Sequence, residues 1–196
     1  MEYVMVCIVT ILAEFGLMLL FHKREPEYKL DSKKYGLLLA AGNAVLMGVA
    51  VFLQGNQWFS ALWYFGICSY LFCMCIYDMK FKELPDWFHL ILVLFYGYLW
   101  ITKRLPSSVL SSLLVALVVG LLLVVVYLIR KDAIGAGDIK VMVLCAQYAG
   151  MMIAGIVIRA MVIAFLCSIV LLLMKKVNTK SGLPFVPFLL LGALFV

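Results

Sequence analysis

The chain has 196 residues, of which 67% are hydrophobic and 13% charged, with a formal net charge of +6 and a mean hydropathy of +1.15. So few polar groups cannot cover the surface of a soluble domain, so the composition excludes a water-soluble fold and points to an all-α integral membrane protein. The positive charge calls for no nucleic-acid partner, because basic loops beside a lipid bilayer account for it and favour anionic lipid.

In chain order, apolar runs cover residues 3–21, 35–53, 58–77, 87–102, 109–129, 139–174 and 183–196. Most approach the roughly 20 residues that a helix needs to cross a hydrocarbon core. The run 139–174 is about two spans long, and Gly150, Gly155 and Arg159 offer a place to fold back. The pattern predicts a polytopic helical bundle of about eight transmembrane helices. The last run carries Pro184 and Pro187 in only 14 residues, a length that suits a re-entrant segment as well as a span. The runs are too long, and too free of alternation, for a β-barrel. One soft division separates residues 1–57, two helices and a short loop, from the six helices of residues 58–196.

Basic residues predict the orientation. Loops 22–34, 78–86, 130–140 and 175–182 together hold 13 of the 16 lysines and arginines: Lys23, Arg24, Lys29, Lys33, Lys34, Lys80, Lys82, Arg130, Lys131, Lys140, Lys175, Lys176 and Lys180. Lys103, Arg104 and Arg159 fall in the turns of the other side. By the positive-inside rule the first set is cytoplasmic in a cell (plasma or inner) membrane, with both termini outside. Residues 1–21 lack the basic start and small-residue cleavage site of a signal peptide. Cys7, Cys68, Cys73, Cys75, Cys145 and Cys167 all lie in apolar runs, where thiols behave as small hydrophobes, and no ligand spacing suggests a metal.

Two aspartates stand out on the cytoplasmic side. Asp78 closes the third helix, and Asp138 opens the sixth in the run Gly135-Ala136-Gly137-Asp138. Taken singly, each fits an interfacial charge or a helix cap. Brought together, they would share a proton, because two like charges a few Å apart cannot both ionise cheaply. The ionised member can then activate water while the protonated member donates to a peptide carbonyl. Asp138, expected to cap its helix, is the member the macrodipole favours as ionised, and Asp78 at a helix carboxyl end is not. Gly135 and Gly137 allow close approach of the backbone to substrate, or positive φ. A phosphate loop is excluded, since the preceding strand and the Walker lysine are missing.

Asp78, then Leu84-Pro85-Asp86 after a short basic loop, then Gly135-Ala136-Gly137-Asp138-x-Lys140, then Leu183-Pro184-Phe185-Val186-Pro187-Phe188-Leu189 resemble the type IV prepilin peptidase family of Gly-x-Gly-Asp membrane aspartyl proteases, in that family's order over roughly residues 58–196. The resemblance implies an aspartic endopeptidase that removes a short basic leader from prepilin-like or pseudopilin proteins, just before the substrate's hydrophobic helix, at the cytoplasmic face. It assigns catalysis to Asp78 and Asp138, with Gly135, Gly137, Lys140, Asp86, Pro184 and Pro187 binding substrate or supporting the site, and neither metal nor other cofactor. Larger members carry a cysteine-bearing insertion between their first two helices, associated with methylation of the new amino terminus. The 13-residue loop here has no cysteine, so methyltransferase activity is not expected.

Presenilin and signal peptide peptidase share the Tyr-Asp and Gly-x-Gly-Asp elements, but their Pro-Ala-Leu element is replaced by Pro184-Phe185-Val186-Pro187-Phe188. A preflagellin client is a further variant of the same reading. Paired acids also serve proton-coupled transporters, which need them near the midplane rather than at its edge. A catalytically silent partner for pilin-like helices is a third class, and the two intact aspartates speak against it.

Other polar residues read as structural. Asp86 is placed to cap the fourth helix, and Lys140 is an interfacial lysine that could also pair with substrate or lower the dyad's pKa. Glu14 lies nearly central in the first helix, where a neutral form hydrogen-bonded to Asn43 is the economical arrangement. His22 and His89 show no ligand spacing, and Trp58, Trp63, Trp87 and Trp100 read mostly as interfacial markers.

Overall fold

The computed structural model describes residues 2–24, 30–54, 58–103, 108–129, 134–174 and 183–195. Residues 25–29 of the first loop lie outside the described residues, as do Arg104, Arg130, Lys131, Lys175, Lys176 and Lys180. The described residues form eight α-helices: α1 (Glu2–Arg24), α2 (Ser32–Gln54), α3 (Trp58–Phe81), α4 (His89–Ile101), α5 (Val109–Ile129), α6 (Ala136–Ala149), α7 (Met152–Leu173) and α8 (Val186–Leu194). A 3-10 turn, Asp86–Phe88, leads into α4.

Five helices, α1, α2, α3, α5 and α7, are long and apolar enough to cross a membrane, and the chain is a multi-pass helical membrane protein. The eight expected helices are all present, but not all have spanning length. At 1.5 Å per residue α8 is about 14 Å long and α6 about 21 Å, against a core of roughly 30 Å. On α5, Leu113, Leu114, Leu117, Val118, Leu121 and Leu122 are all exposed, which is stable only against lipid. By contrast, α3 is buried along almost its whole length, with Tyr64, Phe65, Cys68, Tyr70 and Cys73 sealed from solvent.

The chain divides into two compact units, Met1–Met74 with Pro85–Val109, and Cys75–Leu84 with Leu110–Val196. The first boundary between these units falls inside α3.

In the first unit, α1 packs on α2. A side chain at Gly36 would run into the ring of Phe15, and one at Gly42 into that of Phe72, so each glycine lets an aromatic ring lie directly on the helix backbone. Leu30 N–H donates to His22 Nε2 at 3.0 Å, closing the end of α1 onto the start of α2. At the centre, Glu14, Asn43 and Ser69 are fully buried. Asn43 Nδ2 is 2.5 Å from Glu14 Oε2, and Ser69 Oγ donates to Glu14 Oε1 at 2.6 Å. Both Glu14 oxygens are thereby engaged, as a carboxyl inside a spanning helix requires.

Two expectations about this unit change. Trp63 is buried inside α3 rather than marking an interface, whereas Trp100 is exposed near the end of α4. Asp86 does not cap α4: the N-cap is Phe88, with no side-chain cap bond. The intervening 3-10 turn puts Asp86 too early in the chain, and its carboxylate lies 3.7 Å from His89 Nε2, while His89 Nδ1 meets Tyr70 Oη at 2.7 Å.

In the second unit, α6 packs on α7 and α7 on α8. The reversal between α6 and α7 is made at Gly150, with φ 57° and ψ −135°, a backbone state that only glycine adopts cheaply. Gly155 and Arg159 lie within α7 and take no part in the turn. Gly192 of α8 rests on the α7 backbone; a Cβ there would collide with the Ile156 carbonyl and lie 2.9 Å from Ala160 N.

Because a neutral Glu14 is a hydrogen-bonding partner rather than a charge, Glu14→Gln should leave thermal unfolding in detergent nearly unchanged. Glu14→Ala, which strands Asn43 and Ser69, should cost about 2 kcal/mol. Equal losses in both variants would mean that the carboxylate charge itself holds the cluster.

Candidate active site

Asp78 occupies the last turn of α3. The helix stops three residues later because Lys82 takes φ 55° while its N–H bonds the Asp78 carbonyl at 3.0 Å, an αL termination. The Asp78 side chain is buried and accepts the Val186 N–H on Oδ2 at 2.9 Å. The Phe185 N–H donates to the same carboxylate, and the Lys82 ammonium lies within electrostatic reach.

These two donors are the N-cap and first residue of α8. Pro187, at the second helical position, has no N–H to satisfy, and Phe188 N–H returns to the Phe185 carbonyl at 3.0 Å. Every free donor of the first turn up to Phe188 is therefore accounted for, and the two left over converge on one carboxylate. A buried anion at a helix N-terminus is favoured by both the hydrogen bonds and the macrodipole. Pro184 and Pro187 support this indirectly: one precedes the cap and the other narrows the donor set.

Asp138 is the third residue of α6, not its cap; the cap is Gly135, in extended conformation at φ −69° and ψ 145°. The Asp138 carboxyl instead turns back and accepts the Gly135 N–H, the carboxylate half of a capping box. Neither Gly135 nor Gly137 has positive φ. Their missing side chains matter for space: a Cβ at Gly135 would lie 3.3 Å from Asp138 Oδ2, and one at Gly137 3.2 Å from Leu84 Cδ1. The first turn of α6 thus fits closely against the segment that follows α3.

Asp138 is half-buried. Burial pushes its carboxyl up to about 6, the charge of Asp78 adds to the rise, and the Gly135 N–H opposes it. The two aspartates are therefore close enough to act on one another. Asp78 meets two N–H donors and Asp138 one, an asymmetry that the helix ends alone do not foretell. Helix ends give only part of the picture, because Asp78 lies at the carboxyl end of α3 but also at the amino end of α8, and the second contact is tertiary.

Among the other anticipated residues, Lys140 is exposed two positions beyond Asp138, and the lysine acting on Asp78 is Lys82. Asp86 belongs to the first unit. Sequence reasoning did not find Phe185 and Val186, which act through their backbone, or Leu84 as the surface against Gly137. A proline at the second position of a short helix was the available signal for a donor-bearing N-terminus.

Two outcomes follow from this geometry. Carboxyl-carbon NMR should place the Asp138 midpoint near 6, and Asp78→Asn should lower it, since removing a nearby negative charge makes ionisation easier; an unshifted midpoint would show that the carboxyls do not interact. Val186→Pro deletes one charge-assisted bond to Asp78 and also presses Phe185 out of its helical backbone state of φ −90° and ψ −32°. Any activity that depends on Asp78 should fall about 10-fold or more, and thermal unfolding in detergent should shift down as well, because the same bond holds the amino end of α8.

No curated protein and no solved structure matches the chain. The type IV leader peptidase family matches residues 65–174, a stretch that holds both Asp78 and Asp138 and covers more than half of the 196 residues. The Pro-Phe-Val-Pro-Phe element and α8 lie beyond it. With both carboxylates inside the matched stretch, the chain belongs to the type IV leader peptidase family.

Proposed function

We propose that the chain is an aspartic endopeptidase that removes the short basic leader of a prepilin-like or pseudopilin protein at the cytoplasmic face of the cell membrane. The observation that carries this reading is that Asp78 and Asp138 both lie in the stretch matched by the leader peptidase family and in one compact unit, where the charge of Asp78 acts on the Asp138 carboxyl. One carboxyl holds a charge and its neighbour retains a proton into the range near neutrality, which is the arrangement that peptide hydrolysis by water requires.

In the proposed reaction, ionised Asp78 takes a proton from water as the water oxygen attacks the scissile carbonyl carbon. Protonated Asp138 donates to the carbonyl oxygen, giving a neutral tetrahedral diol. As the C–N bond breaks, the proton held at Asp78 passes to the leaving amine, and a diol hydroxyl returns its proton to Asp138. Leader acid and mature amine leave, and both carboxyls regain their starting states. The dyad titrates as a unit, so the roles describe where the hydrogen bonds favour the charge.

The bond cut lies just ahead of the substrate's hydrophobic helix, where backbone groups are not locked in intrahelical hydrogen bonds and an extended conformation is accessible. Basic residues flanking Asp78 and Asp138 support a cytoplasmic catalytic face. The loop between α1 and α2, which contains no cysteine, supports a peptidase without methyl transfer.

In a leader-cleavage assay with a prepilin-like substrate in detergent or liposomes, Asp78→Asn and Asp138→Asn should each reduce cleavage by at least about 100-fold without loss of the folded protein. Full activity in either variant would exclude the dyad.

A further inference from the structure

Arg159 is an arginine in the interior of a membrane-spanning helix, α7, and such residues need a reason to be there. Its Nε donates to the Gly192 carbonyl at 3.1 Å. Gly192 is among the last four residues of α8, whose carbonyls have no intrahelical partner. The guanidinium lies over Gly155, with Nη2 3.4 Å from where a Cβ would be, so the absence of a side chain there leaves room for it to run along α7 toward α8. Gly192 itself is seated on the Ile156 carbonyl and on Ala160. At the other end of α8, about 9 Å away along the helix, the N–H groups of Phe185 and Val186 hold Asp78. A nine-residue helix is too short to be stable by itself, so its place depends on these attachments.

We infer that Arg159 is a positioning residue for the catalytic dyad: by fixing the carboxyl end of α8 on α7, it holds the amino end of that helix, and so its two backbone donors, on Asp78. A cation at a helix carboxyl end and an anion at its amino end both complement the macrodipole. The two contacts therefore clamp α8 along its axis, and releasing one frees the helix to slide or tilt away from the other. The inference rests on the proposed proteolysis for its kinetic consequence but not for the clamp itself.

The test uses the full chain in detergent and a designed substrate with a lysine-rich leader ending in Gly ahead of about 20 apolar helical residues. Arg159→Met should lower kcat roughly 5- to 10-fold with KM unchanged, because Arg159 touches no substrate. Arg159→Lys, which restores a donor, should recover most of the loss. In a Val186→Pro background the effect of Arg159→Met should shrink, since part of what the clamp protects is already gone. A loss in KM alone, an equal loss in both backgrounds, or no loss would overturn the inference. Hydrogen exchange of the amides at the start of α8 should also speed up in Arg159→Met, and in Arg159→Gln where the methionine variant does not accumulate. Unchanged exchange overturns the clamp whether or not the substrate is cut. Failure of the wild-type chain to cut, with faster exchange in the variants, would instead overturn the proteolytic reading and leave the clamp standing.

Discussion

The contact between the amino end of α8 and the Asp78 carboxylate organises the second unit. A buried carboxylate is costly unless hydrogen-bonded, and here two backbone N–H groups answer it. The same contact satisfies the donors of a helix that has too few residues to be stable alone. Charge and helix stabilise one another, and the stretch carrying Pro184 and Pro187, which belongs to no span of ordinary length, acquires a physical purpose. The site on α6 follows from close packing: with no side chain at Gly137, the first turn meets Leu84, and Asp138 comes within electrostatic reach of Asp78.

The first unit solves a different problem with the same economy. A bilayer offers no water to polar groups, so a carboxyl in a spanning helix must find partners within the protein. Glu14 finds two, from α2 and α3, and the cluster joins three helices whose remaining contacts are mostly apolar. Lipid-facing and lipid-excluded helices differ in composition: α5, exposed along most of its length, is far more apolar than the largely buried α3, which mixes Tyr, Cys and Ser with its apolar residues.

The same constraint on backbone and side-chain polar groups explains how much was legible in the sequence. Each apolar run gave a helix, because an unbroken apolar stretch in lipid has few other ways to satisfy its backbone. The break in the run 139–174 was legible at Gly150, where the backbone takes a glycine conformation, but Arg159 stands inside α7 rather than in the turn. At the site, residue identity was legible and ionisation was not. Asp78 and Asp138 stood out as carboxyls at the edges of apolar runs, and their flanks carried the family resemblance. Asp138 was misplaced as a cap because Gly135, which offers no side-chain signal, takes that position, and Asp86 was misplaced because a 3-10 turn precedes α4.

By itself, the sequence determined that this is a helical membrane protein with two carboxyls set at the ends of apolar segments, because solvent transfer and the need to satisfy the backbone act on local stretches of chain. Which donors each carboxyl meets was settled by tertiary contacts. Phe185 and Val186 lie more than 100 residues from Asp78 in the chain and act through backbone N–H groups that every residue but proline possesses. Hydrogen bonds of that kind leave no mark on residue type, so the electrostatics of the dyad exist only once α8 is docked.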